Sequence, residues 1–103
     1  MAGKLLGQAA PAATTLTTVY TVPAATVTVF NVSITNQTGY GIPVRLAIAG
    51  TATPATSEYI EYDTIIPGNG VLERGGIVAN AAKNVVVYAN VAGLSVSVYG
   101  YEE

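Results

Sequence analysis

Three stretches of this chain alternate with a period of two: Phe30, Val32 and Ile34 interleave with Asn31, Ser33 and Thr35; Val44, Leu46 and Ile48 with Arg45 and Ala47; Leu94, Val96 and Val98 with Ser95, Ser97 and Tyr99. Successive side chains of a strand point to opposite faces, so each stretch builds one apolar face and one polar face. A helix would need a stripe with a period near 3.6, and no segment carries one. Other segments extend the pattern. Leu16–Val22 is rich in β-branched residues and stops at Pro23, which cannot donate to a ladder. Glu58–Ile65 places Ile60 and Tyr62 on one face, and Tyr59, Glu61 and Asp63 on the other. Val71–Arg74 meets Gly75-Gly76, after which Ile77-Val78 resumes the strand past a bulge. Val85–Ala89 is continuously apolar, as expected of a central strand buried on both faces.

Gly, Pro and Asn punctuate these segments, notably in "NQTGYG", "GTATPATS" and "PGNG". The result is seven to eight strands at short, regular spacing. An apolar sheet face must be covered, and without helices only a second sheet can cover it. The expected fold is therefore all-β, a single antiparallel β-sandwich, immunoglobulin-like or jelly-roll-like. Residues 16–103 form this domain. Residues 1–15, dominated by Ala, Thr and Gly with no visible period, read as an extended N-terminal arm.

Composition narrows the function classes. Half of the 103 residues are hydrophobic and only 10% are charged, against about 25% in a typical soluble domain. Thr18–Val44 contains no charged residue at all. Such a surface offers little repulsion between copies or partners. The four cations, Lys4, Arg45, Arg74 and Lys83, are scattered and build no basic face for nucleic acid. There is no Cys and no His, so the common zinc sites and any Cys or His nucleophile–base pair are excluded. No run of 18 apolar residues suggests a membrane span, and no signal peptide is recognisable in "MAGKLLGQAAPAATTLTT". The chain is expected to be cytosolic when made.

Candidate chemistry is sparse. Glu61 and Asp63 stand at i, i+2 on one strand face, roughly 6–7 Å apart, a spacing that overlaps glycosidase carboxylate pairs. No partner motif accompanies them, and solvated surface charge is the simpler reading. The matches to glycosylation acceptors at Asn31 and Asn36 read as chance. No catalytic, cofactor-binding or metal-binding residue is assigned. Tyrosine is conspicuous: seven accompany a single Phe and no Trp. With an apolar body and a polar tip, Tyr suits protein interfaces and sugar platforms. Tyr59, Tyr99 and Tyr101 are expected to be exposed. Leu5 and Leu6 lie in the arm and need a docking place.

Leu5–Gln8, Val19–Ala24, Val27–Asn36, Glu58–Gly68 and Val96–Glu102 occur in an order that resembles a group of small virion structural proteins of tailed bacteriophages, cyanophages especially. That resemblance spans nearly the whole chain and carries no catalytic residue. It implies a virion protein, foremost a head decoration or cement protein that clamps capsid subunits. Leu5, Leu6, Tyr59, Tyr99 and Tyr101 would contact the major capsid protein or other virion proteins, and a homo-oligomer, such as a trimer, would suit a symmetric site. A tail, baseplate or fibre component is the alternative. A glycan-binding module, using Tyr59, Glu61 and Asp63, is a further one. Neither nucleic acid nor membrane is an expected partner.

Overall fold

The alternating segments become eight strands in the computed structural model, which describes residues 3–103. They are β1 (Lys4–Ala9), β2 (Thr17–Thr21), β3 (Thr28–Asn36), β4 (Ile42–Ala49), β5 (Tyr59–Ile66), β6 (Val71–Ala79), β7 (Asn84–Ala89) and β8 (Leu94–Glu102). A single 3-10 turn, Thr56–Glu58, precedes β5. All pairings are antiparallel, in two four-stranded sheets ordered β1-β8-β3-β6 (sheet A) and β2-β7-β4-β5 (sheet B). The first strand pairs with the last, the second with the seventh, the third with the sixth, and the fourth with the fifth. The chain is thus a long hairpin, bent at the β4–β5 connection and rolled up. This is jelly-roll order, and it decides between the two sandwich types that periodicity leaves open.

The period-two residues do what their spacing requires. Phe30, Val32 and Ile34 from β3 and Leu94, Val96 and Val98 from β8 are buried between the sheets. Ile42, Val44 and Leu46 from β4, with Val85, Val87 and Ala89 from β7, meet them from the other side. In β7 the middle valine, Val86, is also buried, but on the outer face of sheet B. There it packs with Ala47, Ala49 and Tyr59. Alternation alone puts Ala47 on a solvent face; the large neighbouring ring of Tyr59 covers it instead.

Two expectations need larger correction. The segment read as an arm contributes a strand: Lys4–Ala9 pairs with β8 as the edge of sheet A. A register shift between Leu5 and Gly7 hides this strand from a period-two search. It also separates the adjacent leucines, for Leu5 is exposed while Leu6 packs against the core. Gly7 is needed because a Cβ there would lie 2.2 Å from the Val19 carbonyl oxygen, where β1 passes β2. Residues 1–2 of the expected arm lie outside the described residues.

The second correction is β5. Leu46 pairs with Glu61 but Val44 pairs with Thr64, and Ala47 pairs with Tyr59. Each step adds a residue to β5, so simple alternation fails twice along it. Tyr59, Glu61 and Asp63 consequently do not share a face, and Ile60 and Tyr62 are exposed rather than inward. The bulge expected at Gly75-Gly76 is present: Phe30 pairs with Ile77 but Val32 with Arg74, and Gly76 has a φ of +67°.

Among the described residues two polar ones are buried, Thr28 and Asn36. The Asn36 amide nitrogen donates to the carbonyls of Tyr40 (2.7 Å), Ile66 (2.9 Å) and Pro67 (3.2 Å). Its side-chain oxygen accepts from the Thr38 amide and hydroxyl, at 2.9 and 2.7 Å. One side chain thereby ties the end of β3 to the β3–β4 and β5–β6 turns. The loop after β4 is tied similarly: the Glu58 carboxylate accepts from the backbone amides of Gly50 (3.0 Å) and Ala55 (2.7 Å).

Candidate functional site

The outer face of sheet A is divided. Register places Leu5 beside Tyr99 and Tyr99 beside Asn31. The adjoining row runs Tyr101–Val29–Val78 across β8, β3 and β6. Val27, hydrogen-bonded in both directions to Glu103, continues this end of the sheet. Leu5 is 57% exposed and Val78 60%, with Val27, Val29, Tyr99 and Tyr101 also exposed. Farther along, the rows are polar: Gln8, Ser97, Ser33 and Glu73 lie abreast, and the Gln8 amide donates to the Ser97 hydroxyl. An apolar end therefore borders a hydrophilic end on one continuous sheet.

Of the residues singled out from sequence, Leu5, Tyr99 and Tyr101 come together on this apolar end. Leu6 turns into the core, and Tyr59 stands on the outer face of sheet B, across the sandwich. Val27, Val29 and Val78 are members that sequence reasoning does not single out. Their signal is nonetheless present, since Val27 and Val29 occupy the same phase as Asn31, where a solvated strand would carry polar residues. Beside the patch lies a hollow of ≈ 380 Å³ bordered by Gly3, Lys4, Asn31, Tyr99, Gly100 and Tyr101. Asn31 is held by the Gly76 amide at 3.1 Å, and Gly75 leaves room for it, since a Cβ at that residue would come within 2.9 Å of the Asn31 oxygen.

A polar network anchors this end from within. The Tyr20 hydroxyl is 2.9 Å from the Thr28 hydroxyl and also donates to the Glu102 carboxylate. Lys4 pairs with Glu102 at 2.6 Å, fastening β1 to β8. The Lys4 ammonium, then the Tyr20 hydroxyl, hold the Glu102 carboxyl below its usual range. Burial, with Glu102 beside it, pushes the Tyr20 hydroxyl up.

The two carboxylates that sequence spacing pairs are parted. Glu61 accepts from Thr64 and pairs with Arg74 of β6 at 2.6 Å, bridging the edges of the two sheets. Asp63 pairs instead with Arg45 on the outer face of sheet B, at 2.7 and 3.3 Å. Its bonds to Arg45 hold the Asp63 carboxyl below the usual range, and backbone amides do the same for Glu58.

These shifts set the direction of the acid response. Glu58, Asp63 and Glu102 all have depressed folded-state values, so their contribution is present above the unfolded carboxylate range and lost as pH falls through it. The melting temperature is expected to hold between about pH 7 and 5 and to fall below about pH 4. Glu102→Gln should make that fall shallower, read by thermal melts across pH; an identical acid limb in the variant would remove Glu102 from the account.

No family model matches this chain, and no curated protein matches its sequence.

Proposed function

We propose that this chain is a non-enzymatic structural protein of a tailed-phage particle, acting as a head decoration or cement protein that binds neighbouring capsid subunits. One observation carries the reading: six large apolar side chains, Leu5, Val27, Val29, Val78, Tyr99 and Tyr101, stand exposed together on one end of sheet A. Five of them rest on paired strands and Val27 is held by two backbone hydrogen bonds to Glu103, so the patch is rigid before it meets a partner. Its apolar area is on the order of 500 Å², the size of the largest patch on a typical monomer, which is often functional. A standard interface buries about 800 Å² per partner, which the flanking Lys4, Asn31 and Ser97 would help complete as a polar rim. The weak net charge of −2 adds little repulsion when many copies gather. The order of motifs along the chain, which resembles phage virion proteins, supplies the particle as the setting.

Deleting the first residues is a poor test, because β1 belongs to sheet A. The informative variants are Val29→Ser and Tyr101→Ser, which change exposed side chains and leave the strands paired. Purified heads lacking this protein, incubated with each variant, should show at least a tenfold lower occupancy than with the native chain, while both variants melt within a few degrees of it. Undiminished occupancy would remove the patch from the interface. Binding to tails and not to heads would replace the cement role with a tail role.

A further inference from the structure

On the opposite sheet lies a site that assembly through sheet A does not use. Arg45 in β4 stands next to Tyr88 in β7. Across from it, β5 carries its bulge, so Tyr62 and Asp63 both fall between the pairs Val44–Thr64 and Leu46–Glu61. Bulges re-aim side chains, and here Asp63 takes a φ of +56°, a left-handed conformation that Asp, like Asn, tolerates better than most residues other than glycine. The consequence is a fixed cluster. The Arg45 guanidinium donates twice to Asp63, lies 4.1 Å from the Tyr62 ring centre, and lies 5.3 Å from that of Tyr88. Tyr59 braces Tyr62 edge-on at 5.1 Å.

Beside the cluster is a hollow of ≈ 270 Å³ lined by Pro43, Arg45, Asp63, Ile65, Tyr88 and Asn90. Its chemistry selects a class of ligand. Arg45 and Asp63 cancel one another, so the hollow has no net charge with which to hold phosphate or a free cation. Asp63 is still 52% exposed at its side chain and keeps acceptor lone pairs. The Asn90 side chain, exposed at the rim, makes no hydrogen bond among the described residues. Pro43, Tyr88 and the 65% exposed Ile65 supply apolar wall. Acceptors and donors next to apolar wall, in a space just below that of a drug-sized pocket, suit a small neutral molecule with hydroxyls along its edge and a C–H face.

We propose that this hollow binds a single ring of a neutral saccharide, with Asp63 and Asn90 hydrogen-bonding adjacent hydroxyls and Tyr88 and Ile65 covering the C–H face. Arg45 and Tyr62 are positioning residues that hold Asp63 in place. Glu61 takes no part, being engaged with Arg74. The site lies across the sandwich from the apolar patch, so either surface can fail its test without the other.

The full chain, labelled with ¹⁵N, is titrated with glucose, galactose, mannose and N-acetylglucosamine, and separately with inorganic phosphate, while backbone amide shifts are followed. At least one neutral sugar is expected to produce saturable shifts centred on Arg45, Asp63, Tyr88 and Asn90. Asp63→Asn and Asn90→Ala should each weaken that binding by about tenfold. Asn90→Ala removes no side-chain hydrogen bond of the fold, so it keeps the result readable if Asp63→Asn lowers stability. The proposal is overturned by the absence of saturable shifts with all of these sugars, by shifts centred elsewhere, by a response to phosphate alone, or by native-like binding in Asn90→Ala.

Discussion

Asn36→Ala is expected to destabilise the protein by about 3 kcal/mol, a large share of the stability of a domain this size. The residue is fully buried and its amide donates to three carbonyls, those of Tyr40, Ile66 and Pro67. Truncation withdraws those donors and also the acceptor used by Thr38. The loss is felt in two turns at once, because the Asn36 side chain reaches both the β3–β4 turn and the β5–β6 turn. Equilibrium urea unfolding should show a lower midpoint with an unchanged slope, and melting should fall by roughly 15 °C. Asn36→Asp separates shape from chemistry. It keeps the volume but sets a carboxylate against carbonyl oxygens, so at neutral pH it should be at least as damaging as alanine. In acid the protonated carboxyl can donate again, and the gap to the native chain should narrow. A cost under about 1 kcal/mol for Asn36→Ala would mean that water readily replaces the amide.

Phe30→Ala should cost about 4 kcal/mol. Phe30 is the only Phe of the chain and is 1% exposed in β3. Its ring meets Tyr20 edge-on at 6.3 Å, and Tyr20 in turn reaches Thr28 and Glu102. Removing the ring leaves a cavity between paired sheets that cannot collapse far, since strands on both sides are held by their ladders. It also frees Tyr20 to move, which loosens the bonds that fasten Glu102. Calorimetry should record a fall of roughly 20 °C in melting temperature. Phe30→Leu, which keeps most of the volume, should recover more than half of the loss. If leucine proved as harmful as alanine, the stabilisation would come chiefly from the ring's contact with Tyr20 and not from the filled volume.

The proposed roles divide the molecule between its two outer faces. Sheet A carries the exposed apolar end, braced from inside by the Tyr20–Thr28–Glu102–Lys4 network. Sheet B carries the Arg45–Asp63 cluster and its hollow. The Glu61–Arg74 pair joins the open edges of the sheets between them. A jelly roll suits this division because both outer faces are free once the inner faces are packed together.

The all-β class, the sandwich, most strand positions and the inward phase of β3, β4 and β8 are legible in the residue pattern. Period-two alternation is a local property, and burial of one face follows from it directly. The two leucines of the N-terminal segment and the abundance of tyrosine single out Leu5, Leu6, Tyr59, Tyr99 and Tyr101, of which Leu5, Tyr99 and Tyr101 share one outer face. The place of Lys4–Ala9 in sheet A is legible only in three dimensions, because a bulge and the close passage of Gly7 past β2 erase the alternation that would announce a strand. The parting of Glu61 and Asp63 is equally hidden, since each register shift in β5 turns the following residues to another face. Jelly-roll order, and with it the gathering of Leu5, Val29, Val78 and Tyr101 on one surface, depends on pairings between strands far apart in the chain. Alternation says which way a side chain points, but carries no information about which distant strand will lie beside it.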